Sequence, residues 1–78
     1  MTDEFSVWEF VGEGKDEIHI PVVRWVGPKE AIQVANASMN KPAALLGVIR
    51  EVRITDGEDF CNFHWKYGEG IIFPKEEL

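Results

Sequence analysis

The dipeptide Asp56-Gly57 constrains this chain more than any other feature, because it stands between two segments rich in β-branched and aromatic residues. Asp-Gly is a preferred sequence for the two central residues of a tight β-hairpin. A two-residue turn at this point fixes the pairing of the flanking strands, with Val52 opposite Cys61 and Arg50 opposite Phe63. The segment before the turn is therefore predicted to be a strand from about residue 45 to 54.

This register sorts the hairpin into two unlike faces, because directly opposed residues point to the same side of a sheet. One face is nearly all apolar: Leu46, Val48, Val52, Ile54, Cys61, Phe63, Trp65 and Tyr67. The other face is mostly polar: Gly47, Ile49, Glu51, Arg53, Phe60, Asn62, His64 and Lys66. The agreement between the two arms supports the register, since a slip of one residue would exchange the faces of one arm.

Cys61 and His64 raise the question of a metal half-site or a thiol beside its base. They are three residues apart, and strand side chains alternate between faces, so the two point in opposite directions. A shared metal ion or a catalytic pair needs both groups on one side. The sequence therefore predicts no metal site, with Cys61 acting as an apolar filler and His64 on the wetter face.

The amino-terminal segment predicts another hairpin. Residues 5–11 (FSVWEFV) and 17–26 (EIHIPVVRWV) have the composition of strands, and Pro21 predicts that the second one lies at a sheet edge. A five-residue connection, Gly12–Asp16, would pair Val11 with Glu17 and Arg24 with Glu4. The core face would then hold Trp8, Phe10, Ile18 and Ile20.

The opposite face of this hairpin would also be apolar, interrupted by Glu9 opposite His19. One helix covers only one face of a small sheet, so a second apolar face predicts a partner or self-association. The alternative is that the sheet curls and Trp25 folds around its edge. The predicted partner-binding residues are Phe5, Val7, Val23, Arg24 and Trp25.

Between the hairpins, Gly27-Pro28 predicts the start of a helix with Pro28, Ala31, Ile32, Ala35 and Met39 on its buried stripe. Residues 43–52 fit either a second helix or a strand, and a short helical turn at Pro42–Leu45 running into a strand reconciles the two. With a short last strand at Ile71–Phe73, we expect one α+β domain over residues 1–78 with the order ββαββ(β).

This order resembles that of β-grasp (ubiquitin-like) domains, in which a helix is clasped by a sheet of two hairpins. The alternative architecture is a small curled barrel with an inserted helix. The chain ends in KEEL and lacks the diglycine tail of ubiquitin-like modifiers, so the resemblance does not imply a conjugated modifier. Neither architecture specifies a function.

Charge and cysteine content bear on location and partners. With 14 acidic against 8 basic residues the net charge is −6, which argues against a nucleic-acid partner and suits a basic one. A single cysteine allows no internal disulfide and is typical of a reducing cytoplasm. The sequence predicts neither a signal peptide nor a membrane span, and no cofactor motif is present.

Arg50 interrupts the apolar face of the second hairpin opposite Phe63 and beside Trp65. Its guanidinium is expected either to lie over an aromatic ring or to anchor an anionic group. Arg50, Phe63 and Trp65 are therefore a candidate anion or aromatic site.

These features lead to three functional expectations. The first is a non-catalytic binding or assembly module that forms a homo-oligomer or joins a larger complex. The second is an acidic inhibitor or nucleic-acid mimic that occupies a basic protein site. The third is a small enzyme that combines His19, Glu9 or His64 with Arg50.

Overall fold

The computed structural model describes residues 3–74 and confirms a small α+β domain. Five strands form one open antiparallel sheet in the order β2-β1-β3-β4-β5, so the closed-barrel alternative is not the observed fold. The elements are β1 (Phe5–Val11), β2 (Ile18–Val26), α1 (Pro28–Met39), α2 (Pro42–Leu45), β3 (Ile49–Thr55), β4 (Cys61–Lys66) and β5 (Gly70–Phe73).

The expected arrangement of one main helix on a sheet of two hairpins is present. The hairpins are joined through β1 and β3, which pair antiparallel like every other pair of neighbouring strands in the sheet. α1 contacts β1, β2 and β3 on one side of the sheet. The core therefore lies between α1 and the central strands.

α1 begins and ends where the sequence predicts. Pro28 occupies the first turn, where its missing N–H costs nothing, and Asn40 follows the last helical residue. Ala31 and Ala35 are buried, and their small side chains let the helix approach the sheet closely. Ile32 is an exception to the predicted stripe, because its side chain is 57% exposed.

The segment between α1 and β3 contains the predicted short helical turn, α2, and the strand starts only at Ile49. Gly47 ends α2 with a φ of +86°, and the Val48 N–H donates to the Ala43 carbonyl at 2.8 Å. This is the bonding of a Schellman motif, which favours glycine. Because the turn precedes the strand, Leu46 and Val48 are exposed and do not belong to the sheet's core face.

The second hairpin turns through five residues instead of two. The Asp56 carboxylate accepts hydrogen bonds from the backbone N–H groups of Glu58 and Phe60. Val52 consequently pairs with Trp65 and Ile54 with Phe63, so the predicted register is wrong by four residues there, and a bulge reduces the shift to three where Thr55 pairs with Cys61. Four is an even number, so the apolar and polar faces are preserved where that shift holds, at residues 51–54 and 63–66, but the argument does not extend to Cys61.

The first hairpin has a connection of six residues, one more than predicted, because residues Gly14–Asp16 form a 3-10 turn. Gly12 enters it with a φ of +85°, and a Cβ there would lie 2.7 Å from the Asp16 carbonyl oxygen. Phe10 therefore pairs with His19 instead of Ile18. A slip of one residue exchanges the faces of a strand relative to its neighbour.

The core is consequently built from the face of the first hairpin that is predicted above to bind a partner. Val7 is fully buried, and Phe5 and Val23 pack against the core. Trp8 and Phe10 lie on the side of the sheet away from α1. The buried core residues are Val7, Ala31, Ala35, Ala44, Ile49, Val52 and Ile54.

One carboxylate is buried beneath α1. Glu9 is 6% exposed, and its Oε2 accepts a hydrogen bond of 2.7 Å from the Ser38 hydroxyl. The Lys41 ammonium lies 2.7 Å from the same oxygen. A buried charge is stable only when it is paired and hydrogen-bonded, and these two partners satisfy that requirement.

Candidate functional site: the helix-free face of the sheet

The side of the sheet opposite α1 is not covered by any helix among residues 3–74. We call this side the helix-free face; its members are Trp8, Phe10, His19, Pro21, Arg24, Glu51, Arg53, Thr55, His64 and Phe73. Successive cross-strand pairs place Pro21, Trp8, Arg53, His64 and Phe73 in one row across all five strands. Four members of the row have rings in their side chains, and Arg53 at its centre is a cation.

A shallow groove of about 190 Å³ runs along this face, lined by Trp8, Phe10, His19, Arg53, Thr55 and Asp59. The Trp8 indole N–H donates to the Thr55 hydroxyl at 3.1 Å, which fixes the plane of the indole. The rings of Phe10 and His19 have centroids 4.1 Å apart, and Arg53 lies 4.6 Å from the Phe10 centroid. These contacts hold the aromatic rings in place before any partner binds.

Arg24 is held between two indole rings. Its Cζ atom lies 5.5 Å from the Trp8 centroid and 5.6 Å from the Trp25 centroid. No carboxylate among residues 3–74 lies within 4.0 Å of its guanidinium, which is exposed. A positioned arginine with unused hydrogen-bond donors is suited to binding a carboxylate or a phosphate.

Trp25 has an unusual backbone conformation that places it beside Arg24. Its φ is +58°, in the left-handed region that a bulky side chain rarely adopts. It lies in a part of β2 where the pairing with β1 is irregular, and its side chain is 56% exposed. Such strain costs of order 1–3 kcal/mol and is often found at functional sites.

Glu51 is the acidic centre of the helix-free face. Its Oε1 lies 2.7 Å from His64 Nε2 and 2.7 Å from Arg53 Nη2, and both Glu51 and His64 are largely buried. Burial raises the pKa of the Glu51 carboxyl, but the hydrogen bonds from Arg53 and His64 outweigh it and lower the pKa below its usual value. The cluster combines an ion pair with Arg53 and a hydrogen bond with His64, and together they favour the ionised form of Glu51.

The structure divides the predicted partner-binding residues between two sides of the sheet. Phe5, Val7 and Val23 lie beneath α1 and belong to the core or pack against it. The prediction that they form an exposed partner-binding face is therefore wrong. Arg24 and Trp25 remain exposed. The predicted ion pair of Arg24 with Glu4 is absent, because β2 is displaced by more than one residue at that point.

Arg50, Phe63 and Trp65 do not form a common site. The guanidinium of Arg50 lies 4.8 Å from the Tyr67 ring centroid and 3.2 Å from Glu13. Phe63 and Trp65 pack against the core beneath α1. The prediction that Arg50 covers an aromatic ring holds with Tyr67 as the ring, and the four-residue change of register explains why.

The polar groups weighed for catalysis or metal binding are also separated. The Cys61 thiol donates to the Phe63 carbonyl at 3.2 Å, while His64 bonds Glu51. Glu9 lies beneath α1, whereas His19 lies on the helix-free face beside Glu17. Across residues 3–74 there is no group of three or more His, Cys, Asp or Glu placed to hold a metal ion.

A second groove lies at the start of α1 and has a volume of about 370 Å³. Its lining is apolar apart from Asn62 and contains no charged side chain. The lining residues are Phe5, Pro28, Ala31, Ile32, Ile54, Asn62, Phe63 and Pro74.

The site residues missed by sequence reasoning are Trp8, Phe10, Arg53 and Asp59. A connection of five residues between β1 and β2 would place Trp8 and Phe10 in the core, whereas the observed connection has six. Comparisons with models of protein families, with curated proteins and with solved structures gave no match. Between residues 3 and 74, no helix has the length and apolar character needed to cross a membrane.

Proposed function

We propose that this protein is a small non-catalytic assembly module that associates with a second copy of itself through the helix-free face. The observation that carries the proposal is the row of ring-bearing and cationic side chains across that face. Tryptophan, tyrosine and arginine dominate the binding energy of protein interfaces. Antiparallel sheets commonly pack one face on the core, and an exposed face with large rings is a candidate contact surface.

Features of the two sheet edges favour the face as the contact surface. β2 contains Pro21 and two irregularities in its pairing with β1, and β5 has only four residues and is followed by Pro74. Proline, bulges and short edge strands are the devices by which natural sheets avoid pairing edge to edge. Addition of a strand from another chain is therefore disfavoured at both edges.

The size of the face sets the expected affinity. Five strands spaced about 4.8 Å apart and averaging between six and seven residues, at about 3.4 Å per residue, give a face of roughly 500 Å². Two such faces bury roughly 1,000 Å², which is near the lower limit for a specific interface. An interface at this limit is expected to be a weak one, so that the dimer forms and dissociates over an accessible range of concentration.

The inhibitor hypothesis has less support from the distribution of charge. Acidic side chains lie in the connections at opposite ends of the sheet, with Glu13, Asp16 and Glu69 at one end and Glu58 and Asp59 at the other. A mimic of nucleic acid needs carboxylates in series along one surface, whereas here they are divided. The assembly module is therefore the preferred proposal.

Light scattering after size exclusion tests this proposal over protein concentrations from micromolar to millimolar. The expected mass rises with concentration from the chain mass of 8.9 kDa towards twice that value. His19→Glu and Trp8→Lys on the helix-free face should shift the transition to higher concentration, whereas Ile32→Lys, at an exposed apolar position on α1, should not. A mass of one chain at all concentrations would refute the proposal.

A further inference from the structure

A twofold interface places the same surface of each copy in contact, so its charges must be complementary within one surface. Beside the groove of the helix-free face, Arg24 is an exposed cation and Asp59 is an exposed anion, and neither has an ion pair among residues 3–74. Arg24 lies over the Trp8 indole, and Asp59 lines the groove that Trp8 also lines.

We propose, on the basis of the assembly proposed above, that Arg24 of one copy binds the carboxylate of Asp59 in the second copy. The twofold axis repeats this contact, giving two equivalent ion pairs on either side of the two Trp8 side chains. Arg24 is held in position by Trp8 and Trp25, so it loses little conformational freedom when it binds. A bidentate arginine–carboxylate pair also fixes the relative orientation of the copies.

The local structure around Asp59 supports its role as the acceptor. Asp59 has a φ of +65°, which aspartate tolerates better than most residues, and its N–H donates to the Asp56 carbonyl at 3.0 Å. The loop therefore holds this carboxylate at the rim of the groove. The neighbouring Glu58 is exposed but does not line the groove, so it provides a matched control for charge.

The test is complementation between charge-reversal variants, followed by sedimentation equilibrium. We expect Arg24→Glu and Asp59→Lys each to weaken association at least tenfold, because each creates two like-charge contacts across the twofold axis. An equimolar mixture of the two variants should restore dimers near the wild-type concentration range. In the mixed dimer, position 24 of each copy meets an opposite charge at position 59 of the other.

Two further variants distinguish loss of the ion pair between Arg24 and Asp59 from changes in folding or net charge. Asp59→Asn keeps the side-chain shape and the tolerance for positive φ, and should weaken association several-fold. Glu58→Lys changes the charge equally and should leave association within about twofold. Thermal melting of each variant confirms that it is folded at the temperature of the measurement.

Failure of this pairing is distinguishable from failure of the assembly proposal. A wild-type protein that dimerises, with a mixture of Arg24→Glu and Asp59→Lys that stays monomeric, would overturn the pairing alone. Equal effects of Glu58→Lys and Asp59→Lys would overturn it as well. A wild-type protein that is monomeric at every concentration would overturn both.

Discussion

Replacing Ser38 with alanine tests the account of the buried carboxylate beneath α1. The Ser38 side chain is 1% exposed and donates at 2.7 Å to Glu9, so alanine removes one of the two partners of a buried charge. Loss of a hydrogen bond to a charged group costs about 1.5–3 kcal/mol. Alanine also has the better helix propensity, by about 0.5 kcal/mol.

The net expected loss in the free energy of unfolding is therefore about 1–2.5 kcal/mol, equivalent to a fall of about 5–15 °C in Tm for a domain of this size. Chemical denaturation at one fixed protein concentration measures the loss. Asn36→Ala on the exposed side of α1 is the control, and it should leave the stability unchanged or slightly raised.

A double-mutant cycle with Glu9→Leu separates the hydrogen bond from other effects of the substitution. With leucine at position 9 there is no buried charge to satisfy, and Lys41, whose side chain is 47% exposed, can turn towards water. In that background Ser38→Ala should cost less than about 0.5 kcal/mol. An equal cost in both backgrounds would refute the role of Ser38 as the partner of Glu9.

Three other predictions concern single residues. Glu51→Gln should lower the free energy of unfolding by about 1–3 kcal/mol at pH 7. Because the pKa of Glu51 is lowered in the folded state, its contribution to stability is present above the unfolded-state pKa and is lost as the pH falls through the folded-state pKa. Urea unfolding at acid pH should therefore give wild type and variant equal stability. Trp25→Gly should relieve the strain of a φ of +58° and keep Tm within a few degrees of wild type. Light scattering should show weaker dimerisation of this variant, and an unfolded variant would contradict the prediction. Gly47→Ala should cost about 1–3 kcal/mol in thermal unfolding, because φ is +86° and a Cβ would lie 3.0 Å from the Tyr67 ring; an unchanged Tm would contradict it.

The sequence predicted elements better than registers, and the reason is physical. Strand composition and the Gly27-Pro28 signal are local properties, and they placed α1, α2 and the strands within a few residues of their observed bounds. Register depends on the length of each connection. The hydrogen bonds that Asp56 accepts from Glu58 and Phe60 lengthened one turn in a way that Asp-Gly alone did not indicate.

The consequence for the candidate site depended on whether the shift in strand register was an odd or an even number of residues. A shift of four residues left Val52 and Phe63 on the core face, so the second hairpin's faces were largely correct. One extra residue in the first connection moved Val7 into the core and Trp8 onto the open face. Both faces of this hairpin are apolar, so hydrophobic alternation could not choose between the two registers.

The most direct test of assembly through the helix-free face is an isotope-filtered nuclear Overhauser measurement on an equimolar mixture of labelled and unlabelled chains. Only contacts between copies give signals in this experiment. The account predicts signals between copies from the rings of Trp8, Phe10 and His19. Signals confined to Ile71 and Ile72 at the β5 edge, or no signal at millimolar concentration, would contradict it.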